Sequence, residues 1–448
     1  MDTPKLKIFQ LKDLHEIPQI KSLSQDEIFN MEVVANVLPF RVNNYVIEEL
    51  IDWSNIPKDP IFQLTFMNKE MLNSIHFNKM ASAIKNQLPN NLVKQISDEI
   101  RMELNPHPAG QLIANVPFHE NVPIGGLQHK YKETVLIFPT GGQTCHAYCS
   151  FCFRWAQFVG IDDLQFATDE SEKFQDYIHQ HKEISDILFT GGDPMIMKYQ
   201  KLKVYIEPFL SHKFEHIQNI RIGTKSLAYW PYRFVTDNDA DEILKLFERI
   251  IKSGKHLTIM AHFSHFNELK TKIVVDAINR LRNIGVEIRT QSPVIKHVND
   301  DSEIWKRMWK EQVRLGLIPY YMFVERNTGA KKYFEVPLKQ VFNIYKNAFN
   351  KLSGLSRTAR GPVMSAFPGK VKIEGIADIN NQKVFVLNLL QARNPDWVKR
   401  PFFAKYDSTA TWYTHLTPAF GEEEFFFDRE LTNFLEEKKE MYSNSLIN

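Results

Sequence analysis

The sequence predicts an α/β protein built on a partial (β/α)6 barrel, with a helical extension before it and an α+β segment after it. From residue 135 onward, short β-rich runs alternate with long amphipathic helical patterns, which is typical of a parallel sheet with helical crossovers. Six such β-rich runs occur in succession, a number that suits a partial barrel. We therefore divide the chain into a helical extension (1–105), a barrel (106–335) and a C-terminal capping region (336–448).

The first hundred residues are mostly helical in pattern. Ser24 precedes Gln-Asp-Glu in the manner of an N-cap, and apolar residues then recur at helical spacing from Phe29 to Val37. Two further helices are predicted over Tyr45–Trp53 and Leu92–Met102. No catalytic pattern is visible here, and we expect an arm that packs on the barrel or on a partner.

The barrel elements follow in order. The predicted strands are Val135–Phe138, Asp186–Phe189, Ile217–Gly223, His256–His262, Val286–Gln291 and Ile318–Val324. The predicted helices between them include Ser171–Glu183, Asp239–Ser253, Glu268–Asn283 and Glu303–Leu315. In the C-terminal region, Val384–Leu390 reads as a further strand, and the aromatic-rich stretch Phe402–Phe427 is expected to cover the barrel mouth or form a subunit contact.

Composition excludes several classes of protein. The net charge is +2, from 55 basic and 53 acidic residues, so the overall charge gives no reason to expect binding to nucleic acid or to an anionic membrane. No apolar run is long enough to cross a bilayer, and the first residues lack a signal-peptide pattern. All three cysteines lie in one motif, which leaves none for disulfides. We expect a cytoplasmic protein.

The cysteine motif is the main chemical signal in the chain. Cys145, Cys149 and Cys152 have C-x3-C-x2-C spacing, which lets three thiolates bind one [4Fe–4S] cluster from a single loop. Such a cluster has four irons, so one iron is left open for a ligand. The alternatives are three unrelated buried thiols, or a zinc site completed by His146.

The motif, with Phe151 before its last cysteine, resembles that of the radical S-adenosylmethionine (SAM) enzymes, in which SAM binds the open iron. The longer stretch CHAYCSFCFRW is similar to the lysine 2,3-aminomutase family, whose Tyr and Arg are matched by Tyr148 and Arg154. The resemblance implies a radical SAM barrel, a [4Fe–4S] cluster, SAM and pyridoxal 5′-phosphate (PLP).

Polar residues follow the predicted strands, at the edge of a barrel where enzymes of this architecture carry out their chemistry. The segment Gly191-Gly192-Asp193 matches the GGDP segment of the family, which implies contact with the SAM amino group. His262 and Gln291 lie in stretches similar to the SAM-contacting segments of the family. A buried histidine satisfied by the backbone is the alternative for His262.

Arg154 is expected to bind a carboxylate. A guanidinium pairs with a carboxylate through two parallel hydrogen bonds, and the resemblance implies that this arginine holds the α-carboxylate of an amino-acid substrate. The alternative is a surface salt bridge.

The resemblance also implies a lysine that binds PLP. The segment Ala366-Phe-Pro-Gly-Lys-Val-Lys is similar to the lysine-bearing glycine-rich segment of the family but has a shorter glycine run, so Lys370 is the candidate and Lys372 the reserve. Lys130 and Tyr131 match a segment near the cofactor phosphate, where Lys130 replaces an arginine.

The substrate-binding positions depart from the family. Of the two aspartates that hold the distal ammonium of lysine in relatives, the first corresponds to Arg326 and the second falls near Ser365. Arg326 would repel a lysine side chain and suits an acidic one such as glutamate. If Glu325 turned inward instead, the argument would reverse.

We therefore expect a radical SAM isomerase of the aminomutase type, which moves an α-amino group to the β-carbon through a 5′-deoxyadenosyl radical and a PLP aldimine. The expected partners are a small amino-acid substrate and a reductant such as flavodoxin or ferredoxin, with self-association into a homo-oligomer also considered. One alternative is a PLP-independent radical SAM enzyme that uses hydrogen abstraction for another modification, such as dehydrogenation or epimerisation. Another is an iron–sulfur electron-transfer or sensor protein.

Overall fold

The computed structural model describes residues 4–445 of the 448-residue chain. Its α-helices are α1 (Gln25–Ala35), α2 (Pro60–Thr65), α3 (Ser74–Lys85), α4 (Asn90–Glu103), α5 (Gln111–Ala114), α6 (Ser171–Gln180), α7 (Tyr199–Ile206), α8 (Ser226–Tyr229), α9 (Ala240–Lys252), α10 (Lys272–Asn283), α11 (Ser302–Arg314), α12 (Lys331–Phe334), α13 (Leu338–Phe349) and α14 (Asp428–Ser445). Its β-strands are β1 (Ile8–Gln10), β2 (Arg41–Asn43), β3 (Phe118–His119), β4 (Val122–Pro123), β5 (Leu127–Tyr131), β6 (Thr134–Ile137), β7 (Asp186–Phe189), β8 (Asn219–Thr224), β9 (His256–His262), β10 (Glu287–Val294), β11 (Ile318–Val324), β12 (Arg360–Ser365), β13 (Gly369–Ile379), β14 (Gln382–Ala392) and β15 (Phe402–Lys405).

One sheet of eleven strands organises the molecule, in the order β15-β14-β13-β12-β11-β10-β9-β8-β7-β6-β5. The six predicted barrel strands are β6 to β11, and each is parallel to its neighbour. Strands β7, β9 and β11 have the predicted bounds, and the others differ by a few residues at their ends. The predicted α/β fold with a parallel barrel sheet is therefore confirmed.

Helices cover the outside of this sheet through regularly spaced apolar residues. In α9 the buried positions include Ile243, Leu246, Phe247 and Ile250, which recur every three or four residues and form one face of the helix. In β10, by contrast, every second residue is fully buried, as expected for a strand with one face on the apolar core. The other face of β10 is turned toward the barrel interior.

The C-terminal region continues the same sheet. Strand β12 is a seventh parallel strand beside β11, and β13, β14 and β15 then add on in antiparallel fashion. The sheet thus runs without a break across residue 335, and the three-part division of the chain stays a prediction. This continuity makes β13, which carries Lys370, part of the wall of the barrel.

Side chains join the two sides of the barrel opening. Lys130 on β5 donates to the carbonyl of Ala366, just after β12. Arg393, just after β14, donates to the carbonyl of Ala114 over 3.0 Å and to the side chain of Asn115 over 2.6 Å. The opening that a six-stranded partial barrel would leave is therefore closed by the C-terminal region.

The N-terminal residues form an arm in which one predicted helix is shorter than expected. Ser24 caps α1 in a capping box with Glu27, as expected, and the third predicted helix is α4. The helix predicted over Tyr45–Trp53 forms only in part: residues 44 and 45 are α-helical and lead into a π-helical turn at Val46–Leu50. The backbone becomes extended again at Ile51, so the helix does not reach Trp53.

No helix among residues 4–445 combines the length and the apolar character needed to span a membrane.

Candidate active site

A cavity of about 240 Å³, partly open to solvent, lies inside the barrel at the carboxyl ends of the strands. Seven of the predicted site residues line it: Lys130, Tyr131, Arg154, His262, Gln291, Arg326 and Lys370. Residues that are distant in sequence therefore meet in one chamber, as expected for a barrel enzyme. The predicted cysteines and the Gly-Gly-Asp turn lie outside this wall, which Phe151 of the cysteine loop and its neighbour Phe153 help to form.

The three cysteines lie close together with free, half-buried side chains. Burial raises the pKa of each thiol, well above its ordinary value for Cys145 and to about 12 for Cys152, and the neighbouring thiols add to the rise at Cys145. Burial likewise raises the pKa of Cys149. A bound iron cluster would reverse this preference, because metal coordination stabilises thiolates.

The N-terminal arm holds the cysteine loop through its backbone. The amide of Tyr148 donates to the carbonyl of Arg41 over 2.8 Å, and the amide of Ser150 donates to the carbonyl of Leu64 over 2.8 Å. Both donors lie between the cysteines, so the arm fixes the loop from which the thiols project. This is a role for residues 1–105 that the sequence did not reveal.

The zinc alternative finds no support. His146 is almost fully buried, and its Nδ1 lies 3.0 Å from the hydroxyl of Ser226 rather than beside a thiol. Within the described residues, no three His, Cys, Asp or Glu side chains are arranged to hold a single metal ion. The spacing of the three cysteines in the sequence suits a cluster, where each thiolate binds a different iron.

The glycine pair after β7 is required by the cysteine loop itself. Gly191 has φ +145°, and a Cβ there would lie 2.2 Å from the side-chain nitrogen of Gln143. A Cβ on Gly192 would lie 2.5 Å from the carbonyl oxygen of Thr144. Since Thr144 directly precedes Cys145, the two glycines let this turn pack against the start of the loop. Their contact with SAM stays a prediction.

Asp193 is already saturated by protein donors. Its carboxylate accepts from the hydroxyl of Thr224 at 2.6 Å, the amide of Lys225 at 2.9 Å and the amide of Met195 at 2.9 Å. The side chain therefore ties the turn after β7 to the end of β8. Its predicted contact with SAM remains untested.

His262 presents an unsatisfied nitrogen. Its Nε2 is buried and has no hydrogen-bond partner in the described part of the chain, while its ring packs edge-on against Phe151 at 5.8 Å. Burial, aided by the charge of Lys225, holds the pKa of His262 well below its ordinary value, so the ring is neutral. The alternative of a histidine satisfied by the backbone does not account for this nitrogen.

Arg154 is half-buried and lacks a counter-ion in the part of the chain that the structure describes. Its guanidinium lies over the rings of Phe138 at 4.4 Å and Phe153 at 5.0 Å, and it forms no ion pair with any residue between 4 and 445. Its Nη1 is buried without a partner, and burial together with the nearby Arg326 lowers the pKa of Arg154 to about 9. The alternative of a surface salt bridge is therefore wrong.

Arg326 approaches Phe153 as well. Its guanidinium lies 4.4 Å from the centre of that ring, and its Nη2 donates to the hydroxyl of Ser365 over 2.9 Å. Ser365 is the cross-strand partner of Lys370, so Arg326 reaches the neighbourhood of that lysine. Burial lowers the pKa of Arg326 to about 10.

Lys370 has the environment of a reactive amine. Its Nζ lies 4.6 Å from the ring centre of Tyr321 and bonds to the side-chain oxygen of Gln391 at 2.5 Å. Burial, followed by the charges of Arg221 and other cations, lowers the pKa of Lys370 to about 7. The reserve candidate Lys372 instead pairs with Glu374 at 2.6 Å and is absent from the cavity wall.

Lys130 extends the cationic part of the cavity. Burial, together with the charges of Arg393, Arg326 and Lys370, holds the pKa of Lys130 well below its ordinary value. The neighbouring Tyr131 hydroxyl is buried and lacks a hydrogen-bond partner among residues 4–445. The cavity wall here carries several cations and few acidic side chains. It therefore favours a bound anion such as a phosphate.

Sequence reasoning left other wall residues unassigned. Tyr321 and Phe323 line the cavity from alternate positions of β11, and Gln391 and Arg221 line it from other strands. Glu325 also faces the cavity, so both it and Arg326 turn inward. The period-two pattern of β11 could have identified Tyr321. Phe151 and Phe153 contribute to the apolar lining.

Comparison with known proteins gives relatives of one kind. No family model matches the chain. A protein of Aquifex aeolicus named "Putative L-lysine 2,3-aminomutase" is 30% identical over 420 residues, which cover 93% of this chain and 97% of that protein. The L-lysine 2,3-aminomutase of Clostridium subterminale is 26% identical over 59% of this chain and 60% of its own length. A glutamate 2,3-aminomutase of Clostridioides difficile is 28% identical over 52% of each chain.

Proposed function

Because the chain belongs to the lysine 2,3-aminomutase family, whose members are radical SAM isomerases, we propose that it moves the amino group of an acidic amino acid from Cα to Cβ. The observation that carries the proposal is the pair of half-buried arginines, Arg154 and Arg326, which face one cavity without a carboxylate partner among the described residues. Buried cations left unpaired are costly, so an anionic ligand is expected between them.

The residues present fit the cofactors of the family, which are a [4Fe–4S] cluster, SAM and PLP. Cys145, Cys149 and Cys152 would hold the cluster, and the unsatisfied Nε2 of His262 suits contact with SAM. Lys370 would hold PLP. When bound, the cluster and SAM supply a radical that abstracts hydrogen, and PLP supplies a ring that delocalises the unpaired electron.

Lys370 and Lys130 would have different roles in binding PLP. A lysine with a pKa of about 7 is half neutral at neutral pH, and only the neutral amine is a nucleophile. Lys130 supplies positive charge nearby for a phosphate, although as a point charge it lacks the fork geometry of an arginine.

The two arginines would orient the substrate. They lie on Phe153, with ring-centre distances of 5.0 Å for Arg154 and 4.4 Å for Arg326, so their guanidinium carbons are separated by no more than these two distances together. Two carboxylates of one small amino acid can bridge such a gap. We assign the α-carboxylate to Arg154 and the side-chain carboxylate to Arg326, a pairing that free lysine cannot make.

The cavity would also exclude water from the reacting atoms. Phe151, Phe153, Leu188 and Met260 contribute apolar surface to its wall. A dry site protects a reactive radical from side reactions and strengthens the ion pairs that fix the substrate.

The remaining expectations complete the proposal. A flavodoxin or ferredoxin would reduce the cluster, and a small amino acid would be the substrate, with self-association and the three-part division of the chain kept as proposals.

The PLP-independent alternative gives no role to a buried Lys370 with a lowered pKa. The electron-carrier and sensor alternatives do not fit membership in a family of isomerases.

A panel of substrates tests the proposal. Anaerobically reconstituted, reduced protein with SAM and PLP is offered glutamate, lysine and glutamine, and β-amino acids are separated by chromatography. We expect turnover of an acidic amino acid, with kcat/KM for glutamate about 10- to 100-fold above that for glutamine, because glutamine lacks the charge that Arg326 would bind. A preference for lysine would contradict the proposal.

A further inference from the structure

The cavity wall carries groups of different charge. Lys130, Arg154, Arg326 and Lys370 are cationic and suit phosphate and carboxylate groups. The wall residues from the ends of β9, β10 and β11 include His262, Gln291, Pro293 and Val324, and His262 is neutral. The cations favour an anion, and the uncharged residues favour a neutral group with hydrogen-bonding edges.

Glu325, the residue after β11, faces the cavity as a buried carboxyl group. It is 5% exposed, and both of its oxygens are buried without a hydrogen-bond partner in the described range 4–445. Lys331 and Glu335, which lie 3.7 Å apart and pair with each other, have opposite effects on its charge: Lys331 favours the ionised form of Glu325 and Glu335 opposes it. Neither forms a hydrogen bond with Glu325 in the described chain.

Burial favours the protonated form of a carboxyl group in this position. An isolated buried carboxylate is far more costly than a neutral acid, and burial holds the pKa of Glu325 well above its ordinary value. The protonated acid presents one donor and one acceptor side by side, the same pattern as the amide of glutamine. That pattern is complementary to the edge of adenine, where an exocyclic amine lies beside a ring nitrogen.

We propose that Glu325 binds the adenine ring of SAM as a neutral acid, with its hydroxyl donating to the ring nitrogen N7 and its carbonyl oxygen accepting from the exocyclic amine. The proposal rests on the proposed function for the presence of SAM. It adds a specificity-determining residue for the nucleoside, which the cysteine motif does not supply.

The position of Glu325 agrees with the path that SAM must take. Phe151 lines the cavity and directly precedes Cys152, so this part of the wall adjoins the cysteine loop, where the methionyl group would reach the open iron. Val324 pairs with Val294 of β10, which brings the end of β11 beside Pro293. Apolar neighbours of this kind can pack against the faces of a purine, while Glu325 would form hydrogen bonds with its edge.

Two matched ligands and two matched variants test the proposal. Binding of S-adenosylhomocysteine and of S-inosylhomocysteine, which differ at the exocyclic position of the purine, is measured by calorimetry on reconstituted full-length protein. We expect wild type to prefer the adenosyl ligand by about 10- to 100-fold, the range for a bidentate pair with a base. Glu325→Gln should keep that preference, and Glu325→Leu should lose it together with about 10- to 100-fold in adenosyl affinity.

Three results would exclude this role for Glu325. Wild type that binds both ligands equally, or a Glu325→Leu variant with unchanged adenosyl affinity, would exclude the proposal. So would variants whose nucleoside binding is unchanged but whose turnover of lysine falls, because Glu325 would then serve a substrate ammonium. Iron content and thermal melting confirm that each variant is folded. Binding of these ligands needs no turnover, so failure here is distinguishable from failure of the aminomutase proposal.

Discussion

Lys370→Ala is expected to abolish covalent attachment of PLP and to reduce amino-group migration by at least about three orders of magnitude, as when a nucleophile is removed from an active site. The reason is the position and pKa of this lysine. Its amine is buried among Tyr131, Tyr321 and Gln391, and its pKa is lowered to about 7. Because the pKa of the Lys370 amine is lowered, this amine loses its proton and becomes reactive as the pH rises through 7. An ordinary lysine becomes neutral only near pH 10.4.

The measurement is borohydride reduction of the PLP-treated protein, followed by mass spectrometry of its peptides. A pyridoxyl group should appear on Lys370 in wild type, with a yield that rises between about pH 6 and pH 8 around the lowered pKa. Lys372→Ala is the matched control, since this lysine lies on the same strand, pairs with Glu374 and is absent from the cavity wall. A pyridoxyl group on Lys372, or its persistence in Lys370→Ala, would refute the assignment.

Arg326→Ala is expected to lower kcat/KM for glutamate by about 150- to 5,000-fold, because a buried carboxylate of the substrate would lose its partner at a cost of about 3–5 kcal/mol. Arg326→Asp should lower it further and raise the turnover of lysine, since an acid would then face the distal ammonium. Both values are obtained from the same product assay with glutamate and lysine. Arg360→Ala is a control, because this arginine is exposed and does not line the cavity.

Two results would contradict this account of specificity. One is an Arg326→Ala variant that uses glutamate as well as wild type does. The other is an Arg326→Asp variant that is folded and iron-loaded but shows no change in the ratio between glutamate and lysine. In either case the side-chain carboxylate would bind elsewhere in the cavity.

Local patterns explain why much of the barrel could be predicted. Strands β7, β9 and β11 are short apolar runs with clear ends, and their bounds agree with the prediction. Residues that follow such strands must meet at one edge of a parallel sheet, which is why Arg154, His262, Gln291 and Arg326 line one cavity. These features depend on periodicity and strand order, which a single sequence carries.

Long-range contacts explain most of what was missed. The amide of Tyr148 bonds to the carbonyl of Arg41, a contact between residues more than one hundred positions apart and without a side-chain signature. The pairing of β13 with β12 puts Lys370 on the barrel wall, whereas the sequence suggested a separate capping region. Glu325 was expected to compete with Arg326 for one inward position, but both face the cavity because β11 ends there.

Glutamate labelled with ¹³C at Cα and ¹⁵N at the amino group tests the proposed migration most directly. After incubation with the reduced protein, SAM and PLP, nuclear magnetic resonance of the product reports which carbon carries the nitrogen. The proposed function predicts that ¹⁵N leaves the labelled Cα and is found on Cβ, with no loss of nitrogen from the product. Formation of 5′-deoxyadenosine with ¹⁵N still bonded to Cα, or with nitrogen released, would show that the protein uses its radical for a different reaction.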